Sequence, residues 1–502
     1  MRKPRHGFMA WFFSYGGVSM RSVVIGGGVI GTLIARQLSR FEGEVILIEK
    51  REDLGQGITK ANSAIIHGGY DDPPASLRGK LCVRGNELYD GLARELKVPV
   101  NRIGSIVVAK NEEELKKLQE LLLNGQANGV RDLRIVGREE LQMLEPAISS
   151  AFNYALYCGS AGITEPWMVA IAASINAARN GAEIITGDGV VGGRIEKNSI
   201  KCLSLASGRE IENVDIVINA AGLFYEKVAR LFNVEVPPVK LRRGEYILLD
   251  KKARDLVRRI VFPLPSAAGK GRLVVPTIDG GVLLGPTSEE LQDFTPQELK
   301  TTVEGLDSVR RSGRELIPGI DSPQWYIKSF AGIRPESSGK DFYIKAAREI
   351  NNFVTVGAIR SPGLTAAPAI AEHVVLELLP SIGVSLKEKR DFDPFIEERI
   401  RIKELPFETV SSLIENDHRY GRIICQCNEV SEAEIVQSIR DGARTVDGVK
   451  FRTRAGFGRC QGGFCSWKIA SILSRELGKD LSEIRQNVPE SWITDGKVRE
   501  QC

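Results

Sequence analysis

The chain has 502 residues, 42% of them hydrophobic and 26% charged, a balance that fits a soluble globular protein of about two to four domains. Its 68 basic and 64 acidic residues leave a formal net charge of +4, too even to build a field for nucleic acid. No run of about eighteen apolar residues occurs, and Cys82, Cys158, Cys202 and Cys502 are scattered, which argues against a membrane span and a secreted disulfide scaffold and leaves a cytoplasmic location as the default.

In chain order, residues 1–19 read as a disordered arm or an upstream start, because the apolar patch at 8–13 is too short for a signal segment. From residue 21 the sequence runs RSVVIGGGVIGTLIARQLSRFEGEVILIEK. A short apolar strand (23–25) leads into Gly26-x-Gly28-x-x-Gly31, a helical pattern follows, and a second strand (45–48) ends at Glu49. Gly26 permits the tight turn, Gly28 lets a pyrophosphate approach the backbone, and Gly31 lets the helix pack on the sheet. The helix N-terminus offers free N–H groups to the phosphates. Glu49, 23 residues after Gly26, is placed to accept hydrogen bonds from a ribose. Strand, helix, second strand and terminal acid fall in register, so the motif predicts dinucleotide binding rather than a chance glycine turn.

Two stretches look inserted into this frame. Residues 97–150 hold a strand (RIGSIVVAK) and a charged helix (NEEELKKLQELLLNG), and residues 236–330 are strand-rich. VDIVINAAGLF (214–224) reads as a buried strand ending in small residues, and residues 352–379 as strand, glycine turn and helix. The predicted fold is α/β: a Rossmann-like domain split over 20–96, 151–235 and 331–384, with a β-rich (α+β) domain from 97–150 and 236–330. A linker (385–420), a small helical domain (421–480) and a tail (481–502) complete the chain.

The blocks NSAIIHGGY, RRGEYILLD, GKGRLVVPTIDGGVLLGPT and SFAGIRPESSGKDFYI, with the glycine turn and helix after 352, carry a resemblance. They are similar to the FAD-dependent family that includes D-amino-acid oxidase, glycerol-3-phosphate dehydrogenases and L-2-hydroxyglutarate dehydrogenases. The resemblance implies non-covalent FAD, contacted by Lys50, Ser63, Val190, Gly222, Gly332 and Gly357. The last helix would aim the amides near Gly363, Leu364 and Thr365 at the flavin pyrimidine, where negative charge develops on reduction. His67, in IHGGY, falls near the isoalloxazine. Imidazole suits a base that takes a hydroxyl proton, although His67 could equally serve as a hydrogen-bond donor to flavin or backbone. Arg334, in AGIRP, matches a substrate-binding arginine of the family, and Arg360, in GAIRSPG, is the second anion contact, since guanidinium binds phosphate or carboxylate bidentately. Arg243 and Tyr246, in RRGEY, are weaker substrate-binding candidates. The implied reaction is oxidation of sn-glycerol 3-phosphate to dihydroxyacetone phosphate with hydride transfer to flavin N5. A 2-hydroxy acid or amino acid as substrate, or a non-enzymatic electron relay, stands as the alternative.

The remaining four cysteines, Cys425, Cys427, Cys460 and Cys465, follow the pattern C-x-C-x32-C-x4-C. Zinc ribbons prefer paired C-x2-C knuckles, and a C-x-C pair bonded to itself would be strained. Four thiolates on loops beside helix N-termini suit a [2Fe–2S] cluster, with structural zinc as runner-up. The segment resembles bacterioferritin-associated ferredoxin, a module appended to some glycerol-3-phosphate dehydrogenase subunits. A one-electron cluster beside a two-electron flavin implies an electron-accepting partner subunit, a hetero-oligomeric complex and, through that partner, a location peripheral to a membrane.

Overall fold

A computed structural model of the chain describes residues 20–265, 271–292 and 294–495, so the expectation for 1–19 lies outside the described residues. The strands of the nucleotide-binding frame are short β-branched runs buried on both faces (RSVVI, EVILIE, IVIN, FVTVG), the pattern of a parallel sheet covered by helices. They assemble in the order Tyr343–Ala346, Phe353–Gly357, Ile216–Asn219, Arg21–Ile25, Glu44–Glu49, Glu183–Thr186. All pairs are parallel except the Tyr343–Ala346 edge strand. Helix Val29–Leu38 packs on this sheet beside helices Leu77–Leu96, Pro166–Arg179 and Gly363–Glu372 in one continuous core.

A nine-stranded sheet forms the second domain and stands over the C-terminal ends of those parallel strands. Its central ladder pairs Lys240–Leu249 with the eleven-residue strand Tyr326–Glu336, antiparallel along most of their length. Two boundaries move as a result. Tyr154–Cys158 pairs with both Ser105–Ala109 and Leu133–Gly137, so this domain continues past residue 150. Tyr326–Glu336 belongs to it as well, carrying it past residue 330.

Residues 386–396 run along the first domain, with Phe41 bridging Glu388 and the Ile396 amide donating to the Glu95 carbonyl. The C-terminal module packs helices Glu432–Arg440, Val446–Thr453 and Ser466–Leu477 around their own apolar core. A Ser431/Glu434 capping box starts the first of these, and Gly478 (φ 64°) ends the last in the left-handed conformation that glycine adopts without strain. Ile484 joins this core and Arg485 accepts from the Val446 amide, so the module reaches beyond residue 480. Among the described residues no helix is long and apolar enough to cross a membrane.

Candidate active site and cluster site

The crevice at the ends of the parallel strands opens into a cavity of about 750 Å3, within the range of cofactor sites. At its floor the glycine turn does what the motif requires. Gly26 has φ +114°, and a Cβ there would stand 2.4 Å from the Ala220 carbonyl oxygen, where the strand Ile216–Asn219 ends. A Cβ on Gly31 would come within 1.9 Å of the Gly26 oxygen, so the helix sits directly on the turn. At Gly28 only the Thr59 hydroxyl comes near the ideal Cβ, at 3.3 Å, which leaves the helix N-terminus open to the cavity. The Glu49 carboxylate accepts from the Gly27 and Arg51 amides at 2.7 and 2.9 Å, while burial pushes its pKa up. A polyanionic dinucleotide fits this floor, and Gly26, Gly28 and Glu49 would hold it.

Lys50, Ser63, Val190, Gly222, Gly332 and Gly357 line the same cavity, as do Gly363 and Leu364. Gly31 and Thr365 lie behind the wall. Thr365 instead accepts from the His67 amide (2.9 Å) and donates to the Ile65 carbonyl (3.3 Å), tying the helix Gly363–Glu372 to the His67 loop. His67 is held at both backbone ends, since Asn86 donates to its carbonyl at 2.8 Å. Its Nε2 stands 3.4 Å from the Ser361 hydroxyl, and both side chains face the cavity.

Arg334 and Arg360 both line the cavity. Arg334 donates to the Thr287 carbonyl (2.8 Å), and Arg360 pairs with Glu336 (3.2 Å) while burial pulls its pKa down. Arg243 does not join them. It is 2% exposed and lies on the opposite face of its strand among Glu245, Glu289 and Glu298, at 3.8, 2.5 and 3.6 Å. The reason is parity: strand side chains alternate, so Arg243 and Tyr246, three apart, cannot share a face. The cross-strand register pairs Arg242 with Arg334 and Tyr246 with Phe330, which puts Arg242 and Tyr246 on the cavity side. Arg242 lies 3.6 Å from Glu336, and the Tyr246 ring stacks on Phe330 at 4.8 Å. Arg78, from the helix Leu77–Leu96, and Arg272 complete a cationic wall that no motif announced. The alternation rule alone could have found Arg242.

The cluster cysteines gather where the turn between strands Ile423–Cys425 and Val430–Ser431 meets the loop joining helices Val446–Thr453 and Ser466–Leu477. Cys427 and Cys460 sulfurs are 3.8 Å apart, and Cys425 is hydrogen-bonded to Cys465. Among the described residues no three of these sulfurs lie within 4.8 Å of one another, so the set is two pairs rather than one tetrahedron. Two irons with two thiolates each fit that arrangement, whereas a single zinc needs all four close together. Backbone amides point at the sulfurs: those of Gly456, Asn428 and Cys427 at Cys425, and those of Phe464 and Gly462 at Cys460. The hydrogen bond from Cys465 pulls the Cys425 thiol below its ordinary range.

Residues 21–376 match the family model described as FAD dependent oxidoreductase. The chain belongs to the FAD-dependent oxidoreductase family. In this family member, residues 423–475 also match the BFD-like [2Fe-2S] binding domain, so its cofactors are FAD and a [2Fe–2S] cluster. The oxidoreductase is 41% identical to a glycerol 3-phosphate dehydrogenase of Caloramator mitchellensis over 95% of this chain and 98% of that one. It is 29% identical to the mitochondrial L-2-hydroxyglutarate dehydrogenase of Arabidopsis thaliana, over 71% and 83% of the two chains. The structure of dithionite-reduced L-α-glycerophosphate oxidase from Mycoplasma pneumoniae with FAD bound superposes with a TM-score of 0.70 at 27% identity, covering 76% of this chain and all of that one.

Proposed function

We propose that the chain is an FAD-dependent dehydrogenase that oxidises sn-glycerol 3-phosphate to dihydroxyacetone phosphate and exports the electrons through its [2Fe–2S] cluster to an electron-accepting protein subunit. The observation that carries this reading is the cationic wall. Arg78, Arg242, Arg334 and Arg360 converge on one cavity beside a histidine, which suits a doubly charged phosphate. Bound FAD supplies the hydride acceptor, and the cluster a one-electron exit. His67, positioned through both backbone groups and by Ser361, takes the substrate hydroxyl proton at Nε2. Arg334 and Arg360 hold the phosphate, and Tyr246 with Ser63 (3.3 Å) closes the pocket wall. Spans of similarity support the exit route: the glycerophosphate oxidase aligns with 76% of the chain, whereas the named dehydrogenase aligns with 95% of it. Histidine and cysteine can both attach flavin covalently. Among the described cavity-lining residues there is no cysteine, and the histidine, His67, is the one assigned here to the substrate proton, which supports non-covalent FAD.

Anaerobic bleaching of the flavin absorbance with a panel of small substrates tests the assignment. Glycerol 3-phosphate should bleach it within the mixing time of a conventional experiment, with 2-hydroxyglutarate and amino acids slower by orders of magnitude. Bleaching by 2-hydroxyglutarate and not by glycerol 3-phosphate would reverse the ranking. Acid precipitation should leave the yellow chromophore in the supernatant.

A further inference from the structure

The outer surface of the C-terminal module carries two large aromatic side chains that the described chain leaves uncovered. Phe464 is 83% exposed and Trp467 is 59% exposed. They flank Cys465 in sequence, and the Phe464 amide itself donates to the Cys460 sulfur, so both rings belong to the immediate surround of the cluster. A single exposed ring is unremarkable, but two within three residues of a ligand form a patch. Of the four cluster cysteines, Cys425 and Cys465 are buried, Cys460 is half-buried and Cys427 is exposed. Two exposed cations edge the patch. Arg459 donates to the Gln324 carbonyl at 3.1 Å, and neither Arg459 nor Lys468 pairs with a described carboxylate.

We propose that Phe464 and Trp467 are the docking patch for a separate electron-carrier protein whose exposed prosthetic-group edge is rimmed by acidic side chains. The inference rests on the proposed cluster exit. One electron leaves the reduced cluster, the carrier's ferric centre becomes ferrous, and no proton or atom moves. Apolar rings exclude water where the two centres approach, and the unpaired Arg459 and Lys468 match an acidic rim. An anionic lipid surface would also accept rings and cations, but it offers no electron acceptor, whereas the rings sit beside a cluster ligand in sequence.

The test uses the full-length holoprotein, loaded with electrons by dithionite so that the result is independent of the substrate assignment. The probe is the soluble haem domain of cytochrome b5, acidic around its haem edge. Wild type should bind the probe in biolayer interferometry and reduce it in stopped flow. The double variant Phe464→Ser/Trp467→Ser should lower both affinity and second-order rate about tenfold or more. Flavin and cluster spectra, and reduction of a small dye, should stay unchanged. Arg459→Glu/Lys468→Glu should give a similar loss for the acidic probe and a gain for basic cytochrome c. This second variant decides the matter if the first loses its cluster. Unchanged binding and rate with an intact cluster, absence of probe binding by wild type, or co-sedimentation with phosphatidylserine vesicles that Phe464→Ser/Trp467→Ser abolishes would each overturn the proposal. Wild type lacking acid-labile sulfide would instead overturn the underlying exit reading, a distinct result.

Discussion

On its inner face the C-terminal module meets the body through packed rings and buried ion pairs. Phe451 and Phe457 lie 5.3 Å from Trp167 of the first domain, the latter stacked on it. Arg452 forms a two-pronged pair with Asp53, each side chain 2% exposed, with one contact at 2.7 Å. Arg454 reaches both Glu165 of the first domain and Asp279 of the second, the latter at 3.0 Å. On the outer face Phe464, Trp467 and Lys468, residues of the same types, stand in water, and the exposed Arg459 donates to the Gln324 carbonyl. The difference teaches that exposure of the outer set is not a failure of a small module to bury its rings. Where the module needs a fixed neighbour it has one, as the buried Arg452–Asp53 pair shows.

The sharpest break of that comparison removes the cluster itself. Cys427→Ser should abolish the two irons and two labile sulfides per chain expected of [2Fe–2S], measured by iron and sulfide assay. FAD content and anaerobic bleaching by substrate should survive, because the dinucleotide fold is a separate core. Next in size, Arg334→Met should lower kcat/KM for the anionic substrate about 10²–10³-fold in steady-state assays, as expected when one partner of a charged pair in a cavity is truncated. The inner seam comes third. Arg452→Met leaves Asp53 buried and unpaired, a loss of about 3–5 kcal/mol that should appear as faster hydrogen exchange across 446–458. Asp53→Leu/Arg452→Met should recover most of it, and a double variant as unstable as the single one would show that the seam is not held by this pair.

Strand parity gives a finer comparison. Arg242→Met should raise KM roughly tenfold with little change in melting temperature. Arg243→Met, which leaves Glu245 buried without its cation, should lower the melting temperature and leave KM alone. A pH-dependent effect concerns Lys60, wedged between the cavity wall and the Phe451 ring (5.7 Å), where burial lowers its pKa to about 8. The unfolded chain holds that proton up to the ordinary 10.5, so between about pH 8 and 10.5 unfolding takes up a proton and stability rises with pH. Lys60→Met should remove this slope, on the order of 2 kcal/mol over the window, in urea melts at stepped pH.

The nucleotide floor was legible in the sequence because its causes are local. Gly26 and Gly31 are forced by atoms a few residues away, and a Glu at the end of the second strand follows from the same short unit. The cluster cysteines were legible because few chemistries use that spacing. The substrate wall was less so. Arg334 came with its motif, but RRGEY points to Arg243 as readily as to Arg242, although the two occupy opposite sides of a pleat. Arg78 sits in an unremarkable helix and reaches the cavity only because that helix crosses another. Likewise YALYC (154–158) carries no local sign of the sheet it joins, since strand partnership is decided by residues tens of positions away.

That helix crossing has a consequence of its own. A side-chain carbon at Gly85 would stand 2.0 Å from the Thr365 carbonyl oxygen, and the Thr365 hydroxyl in turn holds the His67 amide. One absent methyl group, on a residue that lines no part of the cavity, therefore gauges the distance between His67 and the helix end beside it. The two are machined as one piece, and a chain that acquired alanine at 85 would carry every residue of its cavity wall and still be out of true.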